Sequence, residues 1–148
     1  LRFDNHISLV VHRSLQRGNL ILKCFQSRDR NLLMKAFKVY VRPLLEYATP
    51  VWSPHFMYLI LKIEHVQRSF TKRLFGLKNL TYIERLKQLE IDTLEHRRLI
   101  YDLCTCYKIV HGYNDTCLDM HLERRPNNTR GHNLRLFKEL CRTDMLRF

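Results

Sequence analysis

Apolar residues recur every three or four positions along most of this chain, and no stretch alternates convincingly with a period of two, so the pattern predicts helix after helix. Residues 5 to 26 read as a first helix, with Asn5 as a candidate N-cap and Ile7, Val10, Val11 and Leu15 on one side. Gly18 weakens its middle by about 1 kcal/mol relative to alanine, which predicts a bend or break there. The polar run Ser27, Arg28, Asp29, Arg30 turns the chain. From Asn31 a second helix carries Leu32, Leu33, Ala36, Phe37, Tyr40, Val41, Leu44 and Leu45 on one broad face. Pro43 removes the hydrogen bond to the Val39 carbonyl and crowds the preceding turn. A kink over residues 39 to 42 is expected, and not an end, because the apolar spacing continues to Tyr47.

Pro50 and Pro54 bracket Val51, Trp52 and Ser53 and are expected to hold them extended, since the residue before a proline is steered away from helix. Trp52 is expected to plug a helix junction, with base stacking as the rival reading. A third helix, residues 55 to 75, shows Leu59, Ile63, Val66, Phe70 and Leu74 as a narrow stripe, and Gly76 closes it in a left-handed conformation. Thr81 with Glu84 forms a capping box that starts a fourth helix with Leu86 and Leu89 inward. Asp92 and Glu95 mark a fifth helix whose Leu94, Leu99, Leu103, Tyr107 and Val110 face the core, ending at Gly112. The expected architecture is therefore mainly α: a bundle of about five helices with a Pro-kinked second helix over residues 1–112, then a basic irregular C-terminal segment, 113–148. In that segment residues 124 to 132 form a basic loop, and residues 134 to 137 fit a short strand or a further helix.

Composition sharpens this picture. With 148 residues, 45% apolar, the chain has the length of one domain and enough apolar matter for a core. Its 26 basic and 14 acidic residues give a net charge of +12, a positive field that attracts polyanions, nucleic acid first and anionic membrane next. Five cysteines at irregular spacing do not form the even framework of a small secreted domain, so reduced thiols and an intracellular location, nuclear or cytoplasmic, are expected. No signal-peptide pattern and no apolar window long enough for a membrane span is present, and the Asn-x-Thr sequons at Asn79, Asn114 and Asn127 are read as chance matches. A chain that begins at Leu1, and not at Met, is expected to be part of a longer reading frame.

Candidate chemistry is sparse. The carboxylates are scattered singly, and no adjacent pair of aspartates offers the converging ligands that two-metal phosphoryl transfer requires. Asp29, Asp102 and Asp144 read as surface or capping residues. Cys104, Cys106, His111, Cys117 and His121 invite a zinc reading, but Cys104 and Cys106 diverge by about 160° on a helix, and packed thiols are the better account. No cofactor or metal is expected, nor is a Gly-rich phosphate loop or a nucleophilic Cys-His motif recognisable. Basic residues remain. Residues 55 to 88 hold seven Lys or Arg against two acids, and residues 124 to 142 six against one. Facing the same way, these two regions would form a phosphate-tracking groove.

Val41-Arg42-Pro43 with Leu45-Glu46-Tyr47, Pro50-Val51-Trp52-Ser53-Pro54, the 64–70 run EHVQRSF and Thr129-Arg130-Gly131-His132 add a further reading. In this order they resemble the region downstream of the catalytic core in LINE-type, non-LTR retrotransposon reverse transcriptases of the jockey-like kind, over nearly the whole chain. The resemblance implies a thumb and post-thumb helical section that helps hold template and primer in an RNA-directed DNA polymerase. The aromatic-Ala-Asp-Asp motif of that family is absent here, as are an endonuclease segment and the Trp-Asn near its usual C-terminal end. A fragment without its catalytic palm, not an enzyme, is expected. It would bind an RNA or DNA duplex or hybrid nonspecifically through Lys62, Arg68, Lys72, Arg73, Arg124, Arg125 and Arg130. The alternative is a helical interaction module that docks on the missing palm or self-associates, with no membrane partner.

Overall fold

The structure, a computed structural model, describes residues 3–113. Among them are seven helices: α1 (Asp4–Cys24), α2 (Arg30–Tyr40), α3 (Arg42–Glu46), α4 (Thr49–Trp52), α5 (Met57–Lys72), α6 (Tyr82–Leu89) and α7 (Leu94–Val110). The mainly α class expected from the periodicity is what forms. The chain divides into two compact units, residues 1–101 and 102–148. The 124–132 loop and the 134–137 segment lie outside the described residues.

In the first unit α1 packs on α5, α2 and α3. Three side-chain bonds fix the direction of the α1–α5 pair: Tyr58 to Asp4, Lys62 to Ser8 at 2.8 Å and Arg73 to Asn19 at 2.6 Å. Each spans the same 54 positions in sequence, so the two helices run parallel and in step. Between them lie Ile7, Val11 and Ile21 from α1 and Leu59, Ile63, Val66 and Phe70 from α5, all buried. The Phe70 ring meets Phe37 of α2 with centroids 4.7 Å apart. Each such ring withdrawn from water contributes about 2–3 kcal/mol.

Gly18 does not bend α1, which runs unbroken from Asp4 to Cys24. It is buried, and a Cβ placed there would sit 3.4 Å from Phe70 Cδ2, so the glycine marks a close helix approach. The helix also begins one residue earlier than expected, with Phe3 at the N-cap and no side-chain cap, so Asn5 has no capping role. Asp29 does cap α2, accepting from the Asn31 and Leu32 amides. The broad α2 face is narrower than expected, because Leu32 and Tyr40 are exposed while Met34 is buried.

The prolines start helices. Pro43 lies in the first turn of α3, where a missing N–H costs nothing, and the expected kink becomes a division at Val41 between two helices. Pro50 likewise lies in the first turn of α4, so residues 51 and 52 are helical and not extended. Ala48, left-handed at φ 53°, redirects the chain into that turn. The expected extended geometry survives at Ser53 before Pro54, with φ −50° and ψ 120°. Trp52 is 4% exposed and donates its indole N–H to the Tyr47 carbonyl at 2.8 Å, so it is a plug and its faces are closed to a base.

The stripe on α5 is buried as expected, but the helix spans Met57–Lys72 with Arg73 as its C-cap, so Gly76, left-handed at φ 77°, reverses the turn beyond the helix and does not close it. The Thr81–Glu84 capping box is complete. Beyond it, Leu86 and Leu89 are half-buried, and it is Arg85 that α6 buries. The α7 start is capped by Thr93, whose hydroxyl accepts from the His96 amide at 3.1 Å, and not by Asp92. Leu94 is buried, but Leu99 is 56% exposed, against expectation.

In the second unit, described from Asp102 to Tyr113, Leu103 and Tyr107 are exposed as well and do not face a core, whereas Val110 is buried. Gly112 ends α7 at φ 72°, with the Tyr113 amide bonded to the Lys108 carbonyl and the Gly112 amide to that of Ile109, a Schellman closure.

Candidate nucleic-acid interface

The outer face of α5 is where four of the expected site residues meet. At about 100° per residue, Arg68, Leu61, Lys72, His65, Tyr58, Ser69, Lys62 and Arg73 fall in that order across an arc of about 140°. All are exposed except Ser69, which is half-buried. Lys62 and Arg73, about 16 Å apart along the axis by helical rise, form the margin toward α1. Arg68 and Lys72 lie toward α6. On α1, His12 and Lys23 are exposed one turn beyond Ser8 and Asn19 and extend the basic margin. Arg124, Arg125 and Arg130 lie outside the described residues.

Charge on this face is one-sided for a specific reason. Helices α1 and α5 together carry two carboxylates, Asp4 and Glu64. Asp4 accepts from Tyr58 at the start of the pair, and Glu64 is 5% exposed. The surface from Lys62 to Arg73 therefore carries no acid.

Glu64 is turned inward by a network whose partners are distant in sequence. Its two oxygens accept the Leu94 amide at 3.0 and 3.3 Å, which places a carboxylate at the N-terminus of α7, where the helix end is partially positive. The Tyr82 hydroxyl donates to Glu64 as well. Gln67 donates to the Asp92 carbonyl at 2.9 Å and to the Tyr82 oxygen at 3.1 Å. Burial, with the bond to Glu64 and its charge, pushes the Tyr82 phenol well above its ordinary range. One turn along, Arg85 donates to the Arg68 carbonyl at 2.9 Å and to Thr71 at 3.3 Å, and burial lowers its pKa. Arg85 thus leaves the surface along with Glu64, and the charge balance of residues 55 to 88 is unchanged.

The same Tyr82 also organises the basic face. The Arg68 guanidinium lies 4.8 Å from the centre of its ring, and Arg85 lies 5.5 Å from it. Arg68 is thereby held against α6 while its outer edge faces water. Arg73 is held by Asn19 and by the Ser69 carbonyl at 3.4 Å. Elsewhere, Arg97 clasps Glu46 of α3 at 2.5 and 3.2 Å, and this bond raises the arginine's pKa.

No group of three or more His, Cys, Asp or Glu able to hold a metal ion occurs among the described residues. No helix among them is long and apolar enough to cross a membrane.

The chain is similar to an uncharacterized protein of Caenorhabditis elegans, 30% identical over 115 residues, an alignment covering 76% of this chain and 58% of that protein. It thus spans little more than half the length of the relative it matches. No protein-family model matches the sequence. No solved structure matches it either.

Proposed function

We propose that this chain is a non-catalytic helical domain that binds nucleic-acid duplex, RNA–DNA hybrid included, by its phosphate backbone. In this reading it is the thumb-like section of a non-LTR retrotransposon reverse transcriptase and cooperates with an upstream palm. The observation that carries the binding proposal is the outer face of α5: Lys62, Arg68, Lys72 and Arg73 share one exposed arc, and the helix's single acid is buried beneath it. Cations so arranged neutralise phosphates without reading bases. The motif order around Pro43, Trp52 and Arg130 supports the retrotransposon reading.

Titration of the chain with a hybrid duplex across salt tests the proposal. Affinity is expected to fall linearly on logarithmic axes as salt rises. Lys72→Gln should weaken binding alike for all sequences and reduce that slope by about 1. Binding indifferent to salt, or a Lys72→Gln slope equal to that of the parent, refutes the interface.

A second reading has its own observation. Leu99 and Ile100, in the first unit, are 56% and 44% exposed, and in the second unit Leu103 and Tyr107 are 62% and 57% exposed. Apolar side chains left in water suit docking on another protein, the palm or a second copy. Light scattering tests the second case: a mass that stays monomeric as concentration rises excludes self-association.

A further inference from the structure

We propose that the turn following α5 binds an unpaired nucleotide at the end of a nucleic-acid duplex, with the Phe75 ring as a stacking platform and Lys72 and Lys78 holding the adjoining phosphates. The proposal rests on the duplex-binding reading and adds a ligand to one end of that surface.

Phe75 is 77% exposed, and among the described residues it is the only phenylalanine so placed. Its exposure is built in by its neighbours. Leu74 is 2% exposed and Leu77 0%, so both flanking side chains are anchored in the core and the residue between them is presented outward. Backbone bonds from Leu77 to the Leu74 carbonyl at 3.2 Å and from Leu80 to that of Leu77 at 3.3 Å tighten the turn. Gly76 supplies the reversal at φ 77°, and a Cβ there would meet nothing within 4 Å, so the space beside the ring is open. A recess of about 420 Å³ lies here, lined by Lys72, Arg73, Leu74, Phe75, Gly76 and Lys78.

These parts match what an unpaired nucleotide needs. A base gains from an aromatic face whatever its identity, and its phosphate gains from a nearby ammonium. A phenylalanine has only two side-chain torsions to restrict when a base stacks on it. Between Glu64 and Glu84 the sequence holds no acid to repel the phosphate. Arg73 is directed toward Asn19 and Ser69, whereas Lys72 and Lys78 are exposed on either side of the turn. Tyr82 cannot serve in the same way, because its ring lies against Arg68 and its hydroxyl is committed to Glu64. The unpaired base sits beyond the last pair of the duplex that α5 grips, so the turn favours ends, gaps and overhangs over continuous duplex.

Fluorescence anisotropy of the full chain with a blunt hybrid duplex, and with the same duplex carrying a short single-stranded overhang of DNA or RNA, tests this. The overhang is expected to bind about tenfold more tightly, within the range for one stacked base. Phe75→Ala should abolish that preference while leaving blunt-duplex affinity and its salt slope unchanged. Phe75→Trp should keep the preference, and its added emission should be quenched by the overhang and not by the blunt duplex. A parent chain that binds blunt duplex with salt-dependent affinity but shows no overhang preference overturns the stacking site alone. Absence of salt-dependent binding to either probe overturns the duplex reading as well. Equal loss on both probes in Phe75→Ala, or loss of self-association with the overhang preference intact, would make Phe75 a structural or protein-docking residue instead.

Discussion

Glu64 gives the sharpest test of how this fold is held together. Its carboxylate is buried between α5, Tyr82 of α6 and the first amide of α7, so one side chain adds polar ties among three elements whose Leu89 and Leu94 also reach the apolar core. In Glu64→Ala the Leu94 amide and the Tyr82 hydroxyl lose their acceptor. Each buried donor left unsatisfied costs about 1–3 kcal/mol, and withdrawing the anion from a helix N-terminus costs up to about 2 kcal/mol. Against this, the several kcal/mol spent on desolvating the carboxylate are recovered. Because the orphaned partners are neutral, the net falls below the roughly 3–5 kcal/mol typical of a broken buried ion pair, and a destabilisation of about 2–3 kcal/mol is expected. Glu64→Gln keeps the volume and one good acceptor, so about 1 kcal/mol is expected.

Urea unfolding followed by the emission of Trp52, the only tryptophan and a buried residue of the first unit, measures both variants. The decisive result comes from a cycle with Tyr82→Phe, which removes the hydroxyl and keeps the ring. Because the Tyr82 hydroxyl donates to Glu64, the two changes are expected to couple by about 1 kcal/mol. Effects that add within the roughly 0.3–0.5 kcal/mol seen for independent sites, or a Glu64→Ala chain within about 0.5 kcal/mol of the parent, would show that this network does not hold α7 in place.

Three further outcomes are expected. Gly18→Ala should raise stability by about 0.5–1 kcal/mol, since a helix-interior glycine is unfavourable and the new methyl only reaches contact with Phe70; a lower urea midpoint would mean that α1 and α5 cannot accept it. Glu90 closes α6 at φ 49°, with the Ile91 and Glu90 amides bonded to the Leu86 and Lys87 carbonyls, so Glu90→Gly should gain about 0.5–1 kcal/mol by relieving a left-handed residue, read as a higher melting temperature. The hydroxyl and amide of Thr81 hold the Glu84 carboxyl below its usual value of 4.5, so its contribution is present above that value and disappears as pH falls through the lowered one. Glu84→Gln should therefore flatten the acid limb of melting temperature against pH, and parallel limbs would refute the capping role.

Features written into neighbouring residues were legible in the sequence. Thr81 and Glu84 are three apart and cap each other, Asp29 caps the residues just after it, and Gly76 and Gly112 stand where chain reversal needs a positive φ. The stripe from Leu59 to Leu74 was legible too, because burial on a helix repeats with its turn. Prolines misled, since the same rule that kinks a helix from within also starts one, and the difference depends on whether the preceding turn exists. Leu99 misled for the opposite reason: periodicity marks a face that prefers burial but does not supply the partner that buries it.

The buried polar residues were hidden more deeply. Glu64, Gln67 and Thr71 recur at spacings of three and four beside the apolar stripe, and this was the one local signal that they share a side of α5. What turns them inward is supplied from elsewhere: a carbonyl at Asp92, an amide at Leu94 and the hydroxyl of Tyr82. Counting charges along the sequence could not separate Glu64, which neutralises nothing at the surface, from an acid that would have spoiled the basic face. Tyr82 completes the connection. Its hydroxyl helps hold Glu64 inside while its ring carries Arg68 outside, so the contact that joins α5 to α6 also clears the surface of an acid and fixes a cation upon it. An arginine on a solvated face ordinarily samples many rotamers, with about 2 kcal/mol of side-chain entropy at stake in ordering it. Resting on the Tyr82 ring, Arg68 has surrendered part of that freedom during folding, and in the proposed binding mode a phosphate meeting it would have less ordering left to impose.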